Sequence, residues 1–152
     1  MTDNSVREIR ISRLFDAPRA LVYQAWTRPE HVVHWWGPNG FRTTIHEMQV
    51  TPGGLWRFIM HGPDGRDYPN RVLFREVVPD ERLVYHHCED VPQPTIEFEV
   101  TVSFSDEAGK TRVDMCMLLA TAEMRERVVR EFGALEGARQ NLERLAAYLR
   151  QM

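Results

Sequence analysis

The chain is predicted to fold as an α+β domain in which a curved, seven-stranded antiparallel sheet grips a long C-terminal helix around an apolar pocket. Three observations lead there. Seven strand-like runs are punctuated by Pro, Gly and Asp clusters, with a pair of short helical segments after the first. Apolar residues alternate with polar ones along the last two runs. After Glu123 the hydrophobic period changes from two to that of a helix. At 152 residues, without repeat or linker composition, the chain is the size of one domain able to bury roughly 70% of its unfolded surface.

Glu8 to Phe15 mixes β-branched and charged residues as a first strand. Asp16-Ala17-Pro18 starts a short helix, Asp serving as cap and Pro standing near the first turn. Leu21, Val22, Ala25 and Trp26 make that helix amphipathic. A second short helix runs from Pro29 through Val32, Val33 and Trp36 to a stop at Gly37-Pro38. Strands are then predicted over 44–50 and 55–61, with Pro52-Gly53-Gly54 between them. The turn at Gly62-Pro63-Asp64-Gly65 follows, since Pro presets φ and Gly tolerates positive φ. Further strands are predicted over 71–78, 83–89, 95–105 and 111–120. Consecutive strands joined by short turns should pair antiparallel.

Ile96, Phe98, Val100, Val102 and Phe104 share one face of the sixth strand. Val113, Met115, Met117 and Leu119 do so on the seventh, and Trp56, Phe58 and Met60 on the third. A one-residue slip would turn each set to water, so the inward faces are determined here. In the fourth and fifth strands both parities carry apolar residues, and the faces stay open. From Glu123 to Arg150, Val128, Val129, Phe132, Leu135, Leu142, Leu145, Ala146 and Leu149 form one helical stripe, which the concave face of the sheet must cover.

This order, with the motifs Phe15-Asp16-Ala17-Pro18-Arg19, Ala25-Trp26-Thr27, Pro29-Glu30-His31, Trp35-Trp36-Gly37-Pro38, Pro52-Gly53-Gly54, Met60-His61-Gly62-Pro63-Asp64-Gly65, Glu81-Arg82-Leu83 and Leu142-Glu143-Arg144-Leu145, resembles the START/Bet v 1-like (SRPBCC) superfamily. Within it, the chain resembles domains like the C-terminal half of the activator of Hsp90 ATPase, from about Ile9 to Leu149. The resemblance implies a helix-grip fold with a cavity, but no shared catalytic set. The eukaryotic co-chaperone carries an additional N-terminal domain for which this chain has no room. Hsp90 activation is therefore not carried over.

A formal charge of −3 and scattered arginines give little to exchange for nucleic-acid counterions. Met1 to Arg10 is polar, without the apolar centre of a signal peptide, and no apolar run approaches the ~20 residues that span a bilayer. The expectation is a cytoplasmic domain that binds neither nucleic acid nor membrane. Whether it forms a homodimer is open. Cys88 and Cys116, on non-adjacent strands, should be unbridged, small, buried hydrophobes.

No cofactor or metal motif emerges. His31 and His34 lie three apart on a short helix without a third ligand in fixed spacing, and His86 and His87 point to opposite faces of one strand. There is no Gly-x-Ser-x-Gly, and no glycine-rich loop opens a helix. Glu47 shares the face of Trp56, Phe58 and Met60 if the Pro52-Gly53 turn is a two-residue loop, and would then be a carboxylate with a raised pKa on an apolar wall. A longer turn or a bulge puts Met48 there instead, and that is the favoured alternative.

The expected function is binding of a small apolar or amphipathic molecule, of fatty-acid or polyketide size, between sheet and helix. Its wall would comprise Trp56, Phe58, Met60, Phe98, Val100, Met115, Met117, Phe132 and Leu135, with Glu47 and His87 as polar candidates and methionines adapting to irregular partners. A cyclase- or hydrolase-type enzyme is the first alternative. It needs Glu47, Tyr68, His87 or Arg139 inside the cavity. A co-chaperone-like interaction module is the second and needs an exposed apolar patch.

Overall fold

A computed structural model describes residues 5–152; the first four residues, part of the polar N-terminal stretch, lie outside them. After a single 3-10 turn, Ser5–Arg7, the elements are β1 (Glu8–Phe15), α1 (Arg19–Thr27), α2 (Pro29–Val32), β2 (Arg42–Met48), β3 (Leu55–His61), β4 (Asp67–Val78), β5 (Arg82–Glu89), β6 (Glu97–Glu107), β7 (Lys110–Leu119), α3 (Ala122–Phe132) and α4 (Ala134–Leu149). All seven strands form one antiparallel sheet in the order β1-β7-β6-β5-β4-β3-β2, so β2 to β7 are a meander and β1 closes against β7. No helix among the described residues is long and apolar enough to cross a membrane.

The expected alternation holds where it was clearest. Val100, Val102, Phe104, Val113, Met115, Met117 and Leu119 are all buried, as are Trp56 and Phe58. One bulge settles the open parities. Between Phe74 and Glu76 the register of β4 shifts, so Val72 and Phe74 face in and the next inward residue is Val77. On β5 the inward set is Leu83, Tyr85 and His87. β4 also begins four residues earlier than expected, running through Pro69. There Pro69 is the register partner of Ile59 on β3. On the β5 side, where the ladder ends, its carbonyl accepts from the Asp90 N–H at 3.1 Å, so the missing proline N–H is not needed.

One expectation fails in detail. The C-terminal segment is two helices. Thr121 caps α3, its hydroxyl accepting from the Met124 N–H at 3.0 Å. Gly133 then takes a left-handed conformation, φ +59°, that ends α3 and starts α4. A stripe counted straight through that break loses phase. Val128, Leu142, Leu145 and Leu149 are buried, but Phe132 and Leu135, which flank Gly133, are 58% and 44% exposed.

Cys88 and Cys116 are both free. β6 separates their strands, and on it Cys88 pairs with Glu97 and Cys116 with Thr101. Two strand spacings and a four-residue offset put the cysteines far beyond the ~7 Å reach of a disulfide.

One end of the interior is solid. Trp26, Trp35 and Trp36 meet edge to face, Trp36 meets Trp56 at 4.8 Å between ring centroids, and Trp56 stacks on Phe58 at 4.3 Å. The Trp35 indole N–H donates to the Ala25 carbonyl at 2.9 Å, locking α1 to the segment after α2. Such a cluster fills its end of the sheet completely, and the unfilled space lies beside it.

Candidate functional site

That space is a cavity of about 210 Å³ between the concave sheet and the α3–α4 junction. Its floor is Met60 of β3, Tyr85 and His87 of β5, Phe98 and Val100 of β6, and Met115 and Met117 of β7. Its roof is Phe132 to Ala134 with Gly137, Ala138 and Asn141, and its side wall is Trp36-Gly37-Pro38. The αL residue that breaks the C-terminal segment therefore sits directly over the opening.

The side wall is held by one turn of α4. Arg144 donates to the carbonyls of Trp36, Gly37 and Pro38 at 3.2, 2.8 and 3.1 Å. Asn141 Oδ1 accepts from the Gly37 N–H at 3.0 Å, and Gln140 Oε1 accepts from the Asn39 N–H at 3.0 Å. Gly37 is required there twice over. Its φ is +100°, and a Cβ would stand 3.1 Å from the Met60 methyl and from Phe41 Cβ. Arg144 has carbonyls around it in place of a carboxylate, and burial pulls its pKa down. It acts as a fixed clamp.

The polar groups facing the cavity are few. His87 Nε2 lies 2.9 Å from Asn70 Oδ1, and its ring tilts against Phe58 and Phe98 at 5.8 and 4.9 Å. Burial, then the neighbouring His86, pushes the His87 pKa down to about 4, so the ring is neutral at physiological pH. With Nε2 facing the Asn70 carbonyl oxygen, the ring carries its proton on Nε2 and donates. Burial pushes the Tyr85 hydroxyl up, so it also stays neutral. Among the described residues the lining includes no carboxylate, lysine or arginine. The cavity is an apolar chamber with a neutral imidazole, a phenol and one amide.

Met60, Phe98, Val100, Met115, Met117, Phe132 and His87 thus come together around one space. Trp56 and Phe58 do not reach it as lining; both are 1% exposed and lie behind Trp36 and His87. Leu135 points away, into a shallow surface groove with Ile11, Arg13 and Arg139. Glu47 is on the opposite face of the sheet. A bulge between Ile45 and Glu47 pairs Glu47 with Arg57 and brings Met48 opposite Trp56. Tyr68 is held outside by Asp64 at 2.8 Å, and Arg139 bonds Glu136 and Glu143 on the exposed face of α4.

Trp36, Tyr85 and Asn141 are lining residues that sequence reasoning did not single out. Asn141 and Arg144, three apart in a helical pattern, carry a signal only once Gly37-Pro38 is known to lie beneath them.

A larger surface groove, about 720 Å³, runs along the far side of α4 past His31, His34 and Tyr148. Several of its polar groups are already engaged. His31 Nδ1 meets the Tyr148 hydroxyl at 2.7 Å, His34 stacks on the Tyr148 ring, and Arg144 is taken by the clamp.

Residues 16–150 match the family described as Activator of Hsp90 ATPase homolog 1-like protein. The chain is similar in fold to a protein from Arthrobacter aurescens solved by NMR, at 24% identity and a TM-score of 0.91, covering all of this chain and 91% of that one. A crystal structure from Nitrosomonas europaea aligns at 23% identity and 0.84 over 98% and 97% of the two chains. One from Rhodobacter sphaeroides aligns at 24% and 0.85 over 99% and 97%. No curated protein matches the chain.

Proposed function

We propose that this chain, which belongs to the Activator of Hsp90 ATPase homolog 1-like family, is a binding domain for a small, neutral, largely apolar molecule held between sheet and C-terminal helices. One observation carries the reading: the space left beside the tryptophan cluster is apolar on nearly every side, and the polar groups that reach it are uncharged. An ionised carboxylate entering it would lose its hydration without gaining a counter-charge.

Size narrows the class. At about 210 Å³ the cavity is smaller than the roughly 300–1,000 Å³ typical of drug-sized ligands, and somewhat larger than the ~150 Å³ that holds benzene in an engineered core. A single aromatic ring or a short branched chain with one hydrogen-bonding group fits better than the fatty-acid size suggested by the sequence. His87, whose pyridine-type nitrogen accepts, and Asn141 are the groups to orient it.

Thermal melts with indole, phenol, benzoate and decanoate test this. Indole and phenol should raise the melting temperature, with about 2.7 kcal/mol at a hundredfold excess over Kd. Benzoate and decanoate should not. Equal response to all four, or to none, would contradict a small neutral pocket. Because His87 orients the ligand, His87→Leu should weaken the indole and phenol responses without abolishing them, the apolar walls remaining in place.

A further inference from the structure

A second cluster lies on the outer face of the sheet, away from the cavity. His86 and Cys88 are two apart on β5 and project to the same side, opposite to His87. Across the β5–β6 pair, Cys88 is the register partner of Glu97, and His86 is the partner of Glu99, which places Glu97 diagonal to His86. His86 Nε2 and Glu97 Oε2 are 3.3 Å apart. One ligand atom each from His86, Cys88 and Glu97 fall within 4.8 Å of one another.

We propose that His86, Cys88 and Glu97 form a binding site for a zinc-class divalent cation, with three protein ligands and a water completing a tetrahedron. Bond lengths of about 2.0–2.1 Å to imidazole and carboxylate imply about 3.3–3.4 Å between those two ligand atoms, the spacing already present. Bonds of about 2.3 Å to sulfur imply about 3.6 Å from sulfur to each, within the 4.8 Å that the three atoms span. Thiolate with imidazole selects zinc-like ions over calcium or magnesium.

The sulfur sits in a polar, enclosed setting. Cys88 is 4% exposed, and the Arg71 guanidinium donates to its sulfur at 3.4 Å while pairing with Asp90 at 3.6 Å. The Asp90 pairing moderates the Arg71 charge that an incoming metal would meet. Thiolate, carboxylate and neutral imidazole around a dication sum to zero charge. Because the ligands come from two strands, the ion would staple β5 to β6.

The test uses the reduced full chain, freed of metal and titrated with Co²⁺, then with Zn²⁺ in competition. One equivalent of Co²⁺ should give a thiolate-to-cobalt charge-transfer band that Zn²⁺ abolishes. Cys88→Ser should remove the band, and Cys116→Ser should leave it. Because Cys88 is buried, His86→Gln and Glu97→Gln, at more accessible positions, serve as independent checks. Each should weaken binding about tenfold or more and cancel the rise in melting temperature that Zn²⁺ gives the parent. The proposal fails if no such band forms, if the band survives Cys88→Ser or is lost in Cys116→Ser. It fails equally if Glu97→Gln or His86→Gln binds as the parent does.

Discussion

His87 has a measurable consequence. Its folded pKa of about 4 lies below the ordinary 6.5. As pH falls below 6.5 the unfolded chain takes up a proton that the folded chain refuses until about 4. The stabilisation is complete above 6.5 and is lost across that window, on the order of 2 kcal/mol between pH 7 and pH 5. Denaturant melts of parent and His87→Leu should show the variant losing less stability in this range; parallel curves would mean His87 charges freely in the fold. The two glycines of the C-terminal segment should part company. Gly137 is helical, and a Cβ there would meet Pro38 Cγ at an ordinary 3.5 Å, so Gly137→Ala should stabilise by about 0.4–1 kcal/mol. Gly133→Ala must hold φ +59° and should cost about 1 kcal/mol despite the open space around it. Thermal melts of the two variants read the difference in sign. The inward faces of β3, β6 and β7 were legible because alternation leaves one choice. The choice between Glu47 and Met48 stayed open in the sequence with Met48 favoured, and a single bulged residue in β2 decides it for Met48.

Among elements, the clamp from α4 to the 36–39 loop is what gives the cavity a side wall. Arg144→Met keeps the apolar stem but orphans three carbonyls, and should cost about 1–3 kcal/mol. Its second effect is more telling. With the loop released, the ligand response should fall by more than the lost stability accounts for. If Arg144→Met binds small aromatics as the parent does, the loop is a bystander. The same elements show where a sequence stops speaking. The helical period from Glu123 onward is real, yet one glycine in the αL region divides it, leaving Phe132 at the cavity rim and Leu135 outside it, both largely exposed. Gly133 and Gly137 look alike in the sequence; only their backbone angles tell the cap from the interior.

At the scale of the whole molecule, the fold is a packed half and an open half. Four tryptophans with Phe58 and Phe104 fill the space under α1 and α2. The curved sheet then leaves the region under the α3–α4 junction spanned by small residues, Gly133, Ala134, Gly137 and Ala138. That a curved sheet under a helix leaves space mid-span followed from topology. Its volume and its uncharged lining did not, because both depend on which side chain of each pair the bulges turn inward. Met117→Trp tests the central claim most directly. Its side chain faces the cavity, so the larger ring has room to enter. Measured by thermal melting with and without indole, the variant should melt close to the parent and lose the indole response. A variant that melts far below the parent, by the ~1–3 kcal/mol typical of overpacking, while indole shifts neither protein, would mean that the space is ordinary core.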